Sequence, residues 1–99
     1  MSAIIFHPDA RDELFSAITY YNEQSPGLGT EFLEEIKKSV NKIQENPTRW
    51  KLLKKQVRQY IVQRFPFSIF YISTPEQVYI VAIAHNKRKP YYWKSRVNI

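Results

Sequence analysis

Apolar residues follow two different rhythms along this chain, and the change between them divides it. A short run of strand formers, Ala3-Ile4-Ile5-Phe6, is closed by His7-Pro8. Apolar positions then recur at Ala10, Leu14, Ala17, Ile18 and Tyr21, the spacing of one helical face. Pro8 and Asp9 open this helix, with Asp12 and Glu13 near its start, where the macrodipole favours anions. The stretch from Asn22 to Gly29 breaks the rhythm. It holds both glycines, Gly27 and Gly29, beside Pro26, and predicts a turn between two helices. A second helix is predicted from Thr30 to Glu45, burying Phe32, Leu33, Ile36, Val40 and Ile43. Its acids come early and its lysines late, Glu34 and Lys38 form an i,i+4 pair, and Asn46-Pro47 stops it.

After a basic connector, Trp50 to Gln56, the period becomes two. Val57 to Arg64 alternates, placing Arg58, Tyr60, Val62 and Arg64 on one side of a second strand. Phe65-Pro66 makes a corner, because proline cannot donate to a ladder. Phe67 to Ser73 is a third strand, Thr74-Pro75-Glu76 a hairpin turn, and Gln77 to His85 a fourth strand. The fourth is apolar on both faces. Val78, Ile80, Ala82 and Ala84 share one, and the small alanines suit close approach by the helices. By alternation His85 then falls on the face away from them. The order β-α-α-β-β-β predicts an α+β fold over residues 1–99 as one domain. A helix hairpin packs on one face of a small, mostly antiparallel four-stranded sheet.

Composition narrows the chemistry. With 43% hydrophobic and 24% charged residues the chain has an ordinary globular balance. It has no cysteine, so disulfides and thiolate metal sites are excluded, in keeping with a reducing compartment. Apolar runs fall far short of the roughly 18 residues of a membrane span. A soluble, cytoplasmic protein with no membrane partner is expected. The net charge of +6 conceals an asymmetry. Residues 1–45 carry four basic and eight acidic side chains, net −4; residues 46–99 carry eleven basic and one acidic, net +10. A field so one-sided points to an anionic partner, nucleic acid or acidic protein.

Several chemistries fail on the residues available. There is no glycine-rich phosphate loop. Two distant histidines and a basic half nearly devoid of carboxylates argue against a metal, and no cofactor is expected. A Ser/His/Asp triad would need an acid near His85, and only Glu76 lies in that half. What remains is a sheet face with Arg58, Tyr60 and Arg64, His85 at a strand end, and the segment Lys87 to Arg96. Such parts could build a metal-free ribonuclease: His85 as acid or base, Tyr91 or Tyr92 as a weaker one, Arg58 and Arg88 for charge developing on phosphorus. Arg64, Lys87, Lys89, Trp93, Lys94 and Arg96 are candidates for holding an anionic partner or nucleic acid. Plainer roles stay open: His85 as a satisfied strand-end histidine, Tyr91-Tyr92-Trp93 as a tail docked on the core, and His7 as a structural residue beside Pro8.

The series Phe6-His7-Pro8-Asp9-Ala10, Tyr20-Tyr21, Pro26-Gly27-Leu28-Gly29, Asn46-Pro47, Val57-Arg58, Phe65-Pro66-Phe67 and His85-Asn86-Lys87-Arg88-Lys89-Pro90-Tyr91-Tyr92-Trp93 resembles the RelE/ParE superfamily of bacterial type II toxins. The resemblance spans nearly the whole chain and implies a helix hairpin on a small antiparallel sheet. It also implies a cognate antitoxin, here expected to offer an acidic or amphipathic segment to the basic half. Two targets follow from it. RelE-like members are ribosome-dependent messenger-RNA endonucleases; ParE-like members inhibit DNA gyrase. The RNA-cutting branch tends to carry a catalytic arginine near the position of Ser68, whereas the Phe65-Pro66-Phe67 corner and the His85 to Trp93 ending look closer to the ParE-like, plasmid-stabilisation branch.

Overall fold

A computed structural model describes residues 3–97. Strand β1 (Ala3–Phe6) leads into helix α1 (Pro8–Gln24), which turns back through α2 (Leu28–Glu45). Strands β2 (Lys51–Leu52), β3 (Arg58–Ile61), β4 (Phe67–Ser73) and β5 (Gln77–His85) complete the regular structure. His7 caps α1: its Nδ1 accepts from the Asp9 amide at 3.0 Å, leaving Pro8 at the first helical position, where no donor is needed. Gly27, at φ 89°, supplies the left-handed residue from which α2 starts. Gly29 lies against α1, its amide held by Asn22 Oδ1 at 2.8 Å, and α2 accordingly begins two residues before the predicted Thr30.

The strands form one sheet in the order β1-β5-β4-β3-β2. Among the described residues only the β1–β5 pair is parallel. The sheet has five strands where the sequence predicts four, because Lys51–Leu52 of the basic connector pairs with Gln59 and Arg58. The second predicted strand is also cut short. Arg64 takes φ 70°, and Val62 N–H returns to Phe67 O at 2.9 Å, closing the corner early.

Two apolar clusters sandwich the sheet. The larger lies under the helices and joins Phe32, Ile36 and Ile43 of α2 to Tyr60, Ile69, Tyr71, Val78, Ile80 and Ile83. The smaller lies on the other face, where Val57, Val81 and Ala82 pack against Trp93 and Val97 of the C-terminal segment. That segment covers part of the face away from the helices, with Trp93 docked on the core.

One irregularity decides what β5 presents to each side. Phe70 pairs with Ala82, but the next residue, Tyr71, pairs with Ile80, so Val81 is bulged out of the ladder. An extra residue inverts the alternation beyond it. Val78, Ile80 and Ile83 therefore face the helices, while Ala82 packs under Trp93. The prediction that the alanines face the helices and His85 points away is corrected: the His85 ring lies 5.4 Å from that of Phe67, on the helix side at the end of the sheet.

Candidate functional site

The far face and the C-terminal segment enclose a cleft of about 270 Å³. Lys51 and Gln59 border it from the β2–β3 end, and Phe70 and Ala84 from the sheet centre. Residues from His85 to Trp93 form the opposite wall, among them Asn86, Arg88, Lys89 and Tyr91. A broader depression of about 650 Å³ opens on the helix side between α1 and the same strand end, bordered by Asp12, Glu13, Tyr20, Phe67, His85 and Arg88. His85 and Arg88 stand on the ridge between the two.

The segment crossing the far face is held by a partly buried network. β1 ends opposite Ile80, so the edge of β5 beyond it has lost its strand neighbour. Side chains take over. Ile83 N–H donates to Glu13 Oε1 at 3.0 Å, and Val81 O accepts from Arg96 Nη1 at 3.1 Å. Glu13 and Arg96 are joined by two hydrogen bonds of 3.0 and 2.8 Å, Tyr92 Oη donates to Glu13 Oε2 at 2.7 Å, and Asp9 lies 3.7 Å from Arg96. Burial opposes ionisation of Glu13, but the hydrogen bonds from Arg96, Tyr92 and the Ile83 amide outweigh it and hold its carboxyl below the ordinary range. Burial, reinforced by the bond to Glu13, drives the Tyr92 phenol well above its usual value. Tyr92 therefore retains its proton and donates it in the hydrogen bond to Glu13.

The predicted site residues separate into two groups. His85, Arg88, Lys89 and Tyr91 come together along the cleft, and Lys87 is exposed in the adjoining turn. The Lys87 amide donates to His85 Nδ1 at 3.1 Å, so a neutral ring carries its proton on Nε2. The Arg88 guanidinium sits 3.8 Å above the Tyr92 ring. Tyr91 takes φ 60° at the cleft wall, with the Lys54 ammonium 5.3 Å from its ring centre. Lys94 is exposed beyond it.

The others are engaged within the protein. Arg58, expected beside His85, is on the helix-covered face and donates to Thr48 O and Trp50 O at 3.0 and 2.8 Å. With the Tyr71 hydroxyl, which donates to Pro47 O at 2.7 Å, it fastens the loop after α2. Burial outweighs the nearby Arg58 charge and lifts Tyr71 to about 12. Arg64 turns to α2 and pairs with Glu31 at 2.7 Å and Glu35 at 3.8 Å. Trp93 is a core residue of the smaller cluster, its ring 5.4 Å from Phe70. Arg96 belongs to the Glu13 network.

Sequence reasoning missed three residues. Glu13 looked like a solvated first-turn acid, and nothing in its local pattern signals the long-range pair. Gln59 and Asn86 are tied through buried Ser68, whose hydroxyl accepts from Gln59 Nε2 at 3.1 Å and donates to Asn86 Oδ1 at 2.7 Å. Among the described residues no group of acids and histidines could hold a metal ion, and no helix is long and apolar enough to cross a membrane.

A helix hairpin on one face of an open sheet, with a basic C-terminal segment strapped across the other, defines a small α+β domain. The model of the ParE toxin of type II toxin–antitoxin systems, parDE, matches residues 4–90, and the chain belongs to that family. Comparison with curated proteins gives no match. Nine chains of solved structures match. One, described as the chromosomal ParDE TA system from P. aeruginosa, superposes with a TM-score of 0.73 at 18% identity, covering 86% of this chain and 96% of that one. At that identity the likeness speaks for the fold.

Proposed function

We propose that this chain is a toxin that arrests growth by binding and inhibiting DNA gyrase, and that a cognate antitoxin neutralises it through an acidic or amphipathic segment. The family match over residues 4–90 carries this reading. The site chemistry agrees with binding rather than cleavage. Arg58 is committed to backbone carbonyls and Arg96 to Glu13, and Ser68 is buried in a hydrogen-bonded relay near the position where a cleaving relative would carry arginine. Charge supports the antitoxin: the chain carries +6 overall, and Lys87, Lys89 and Lys94 of its second half are exposed toward an acidic partner.

Purified gyrase tests the target. The chain should abolish supercoiling in vitro, and premixing with the product of the neighbouring small reading frame should restore it. Growth arrest on induction with gyrase activity intact would sink the proposal. The presence of His85 and Arg88 in one cleft favours one second reading, ribosome-dependent messenger-RNA cleavage. New messenger 5′ ends after induction, absent in His85→Ala, would decide for it.

A further inference from the structure

The cleft under the C-terminal segment has features that toxin-family membership does not require. Its walls combine aromatic surface, Phe70 and Tyr91, with a cationic rim, Lys51, Arg88 and Lys89. Its volume of about 270 Å³ lies just below the roughly 300 Å³ at which small-molecule pockets begin. One planar base fits such a space, and a base pair does not. The Gln59–Ser68–Asn86 relay fixes the polar groups on either side. Ser68 engages Gln59 Nε2 and Asn86 Oδ1, which leaves Gln59 Oε1 as an acceptor and the Asn86 amide nitrogen as a donor. An acceptor and a donor flanking Ser68 can each meet a polar atom of a nucleobase. Tyr91 is held in a backbone conformation that bulky residues rarely adopt, a kind of strain that concentrates at binding sites.

We infer that this cleft takes a single unpaired nucleotide, its base against Tyr91 and Phe70 with one edge on Gln59 and Asn86, and its phosphate on Lys51, Arg88 and Lys89. This goes beyond gyrase inhibition and does not depend on it, since nucleotide binding is measured with no gyrase present.

The test is fluorescence anisotropy of the full chain with 5′-labelled single-stranded hexanucleotides (dA, dT and rA), competed by AMP or by inorganic phosphate. Saturable 1:1 binding is expected. Tyr91→Ala should weaken it by roughly 5- to 150-fold, the range for losing one base–aromatic stack. Gln59→Leu should narrow the difference between dA and dT. Lys51→Ala should weaken all three alike and reduce the slope of log K against log salt by about 0.7. Displacement by AMP identifies a free mononucleotide as sufficient ligand; displacement only by oligonucleotide identifies a strand, and either supports the cleft. Three results would overturn it. One is the absence of saturable binding, and another is equal displacement by phosphate and AMP. The third is a loss in Lys51→Ala alone while Tyr91→Ala and Gln59→Leu, folded by circular dichroism, bind like the native chain.

Discussion

Replacing Glu13 by alanine should damage the fold far more than loss of an ordinary surface acid. The carboxylate accepts from the Ile83 amide, the Tyr92 hydroxyl and both terminal nitrogens of Arg96. Truncating one partner of a buried ion pair costs about 3–5 kcal/mol, whereas an exposed pair is worth about 0–1. The Arg96 and Glu13 side chains are 12% and 16% exposed, which puts the pair near the buried limit. We expect a loss of about 3 kcal/mol. For a chain of this length each 1 kcal/mol moves Tm by about 4–8 °C, so Tm should fall by roughly 12–24 °C. Urea unfolding of Glu13→Ala, Arg96→Ala and the double variant gives the coupling directly. A coupling below about 0.5 kcal/mol would refute the reasoning. The pH dependence has a definite sign. The folded Glu13 carboxyl titrates below its ordinary 4.5, so the unfolded chain binds its proton first as pH falls. Its contribution is complete above about pH 4.5 and is lost as pH drops through the lowered folded value. Native protein and Glu13→Gln should converge in stability over that acid range.

Other substitutions probe separate parts of the fold. Trp93→Ala should cost about 3–5 kcal/mol by emptying the centre of the smaller cluster, with accelerated hydrogen exchange in residues 86–97 as the local signature. Gly29→Ala would drive a methyl onto the Ile18 carbonyl oxygen and into Asn22, so calorimetry should show a loss of at least about 1–3 kcal/mol unless the helices part. Arg58→Ala leaves Thr48 O and Trp50 O without their donor and should cost about 1.5–3 kcal/mol in urea unfolding, with nucleotide or gyrase binding unchanged.

Most of the fold was legible because it rests on local rules. The two helical stripes, the glycine turn, the proline corner and the alternating strands each follow from neighbouring residues. What escaped depends on partners distant in sequence. Lys51–Leu52 has no strand signature of its own and becomes a strand only because β3 offers an edge. The bulge at Val81 is silent in a run as uniformly apolar as Tyr79 to Ala84, yet it decides where His85 points. The basic residues were found by charge, but charge does not reveal which arginines are already engaged. Arg58, Arg64 and Arg96 look as available as Arg88 until Thr48, Glu31 and Glu13 arrive from elsewhere.

The parallel pairing of β1 with β5 has a kinetic consequence. Ala3 meets Gln77, and Phe6 meets Ile80, so the first strand has no partner until almost the whole chain is available. Closing so long a loop is entropically late work, and contacts of this range slow folding. The helix hairpin can form beforehand, but α1 lacks the strand it packs against until β5 arrives. During synthesis the helix-forming sequence therefore precedes the C-terminal strap. A partner that binds the nascent hairpin would reach it before the basic face is assembled.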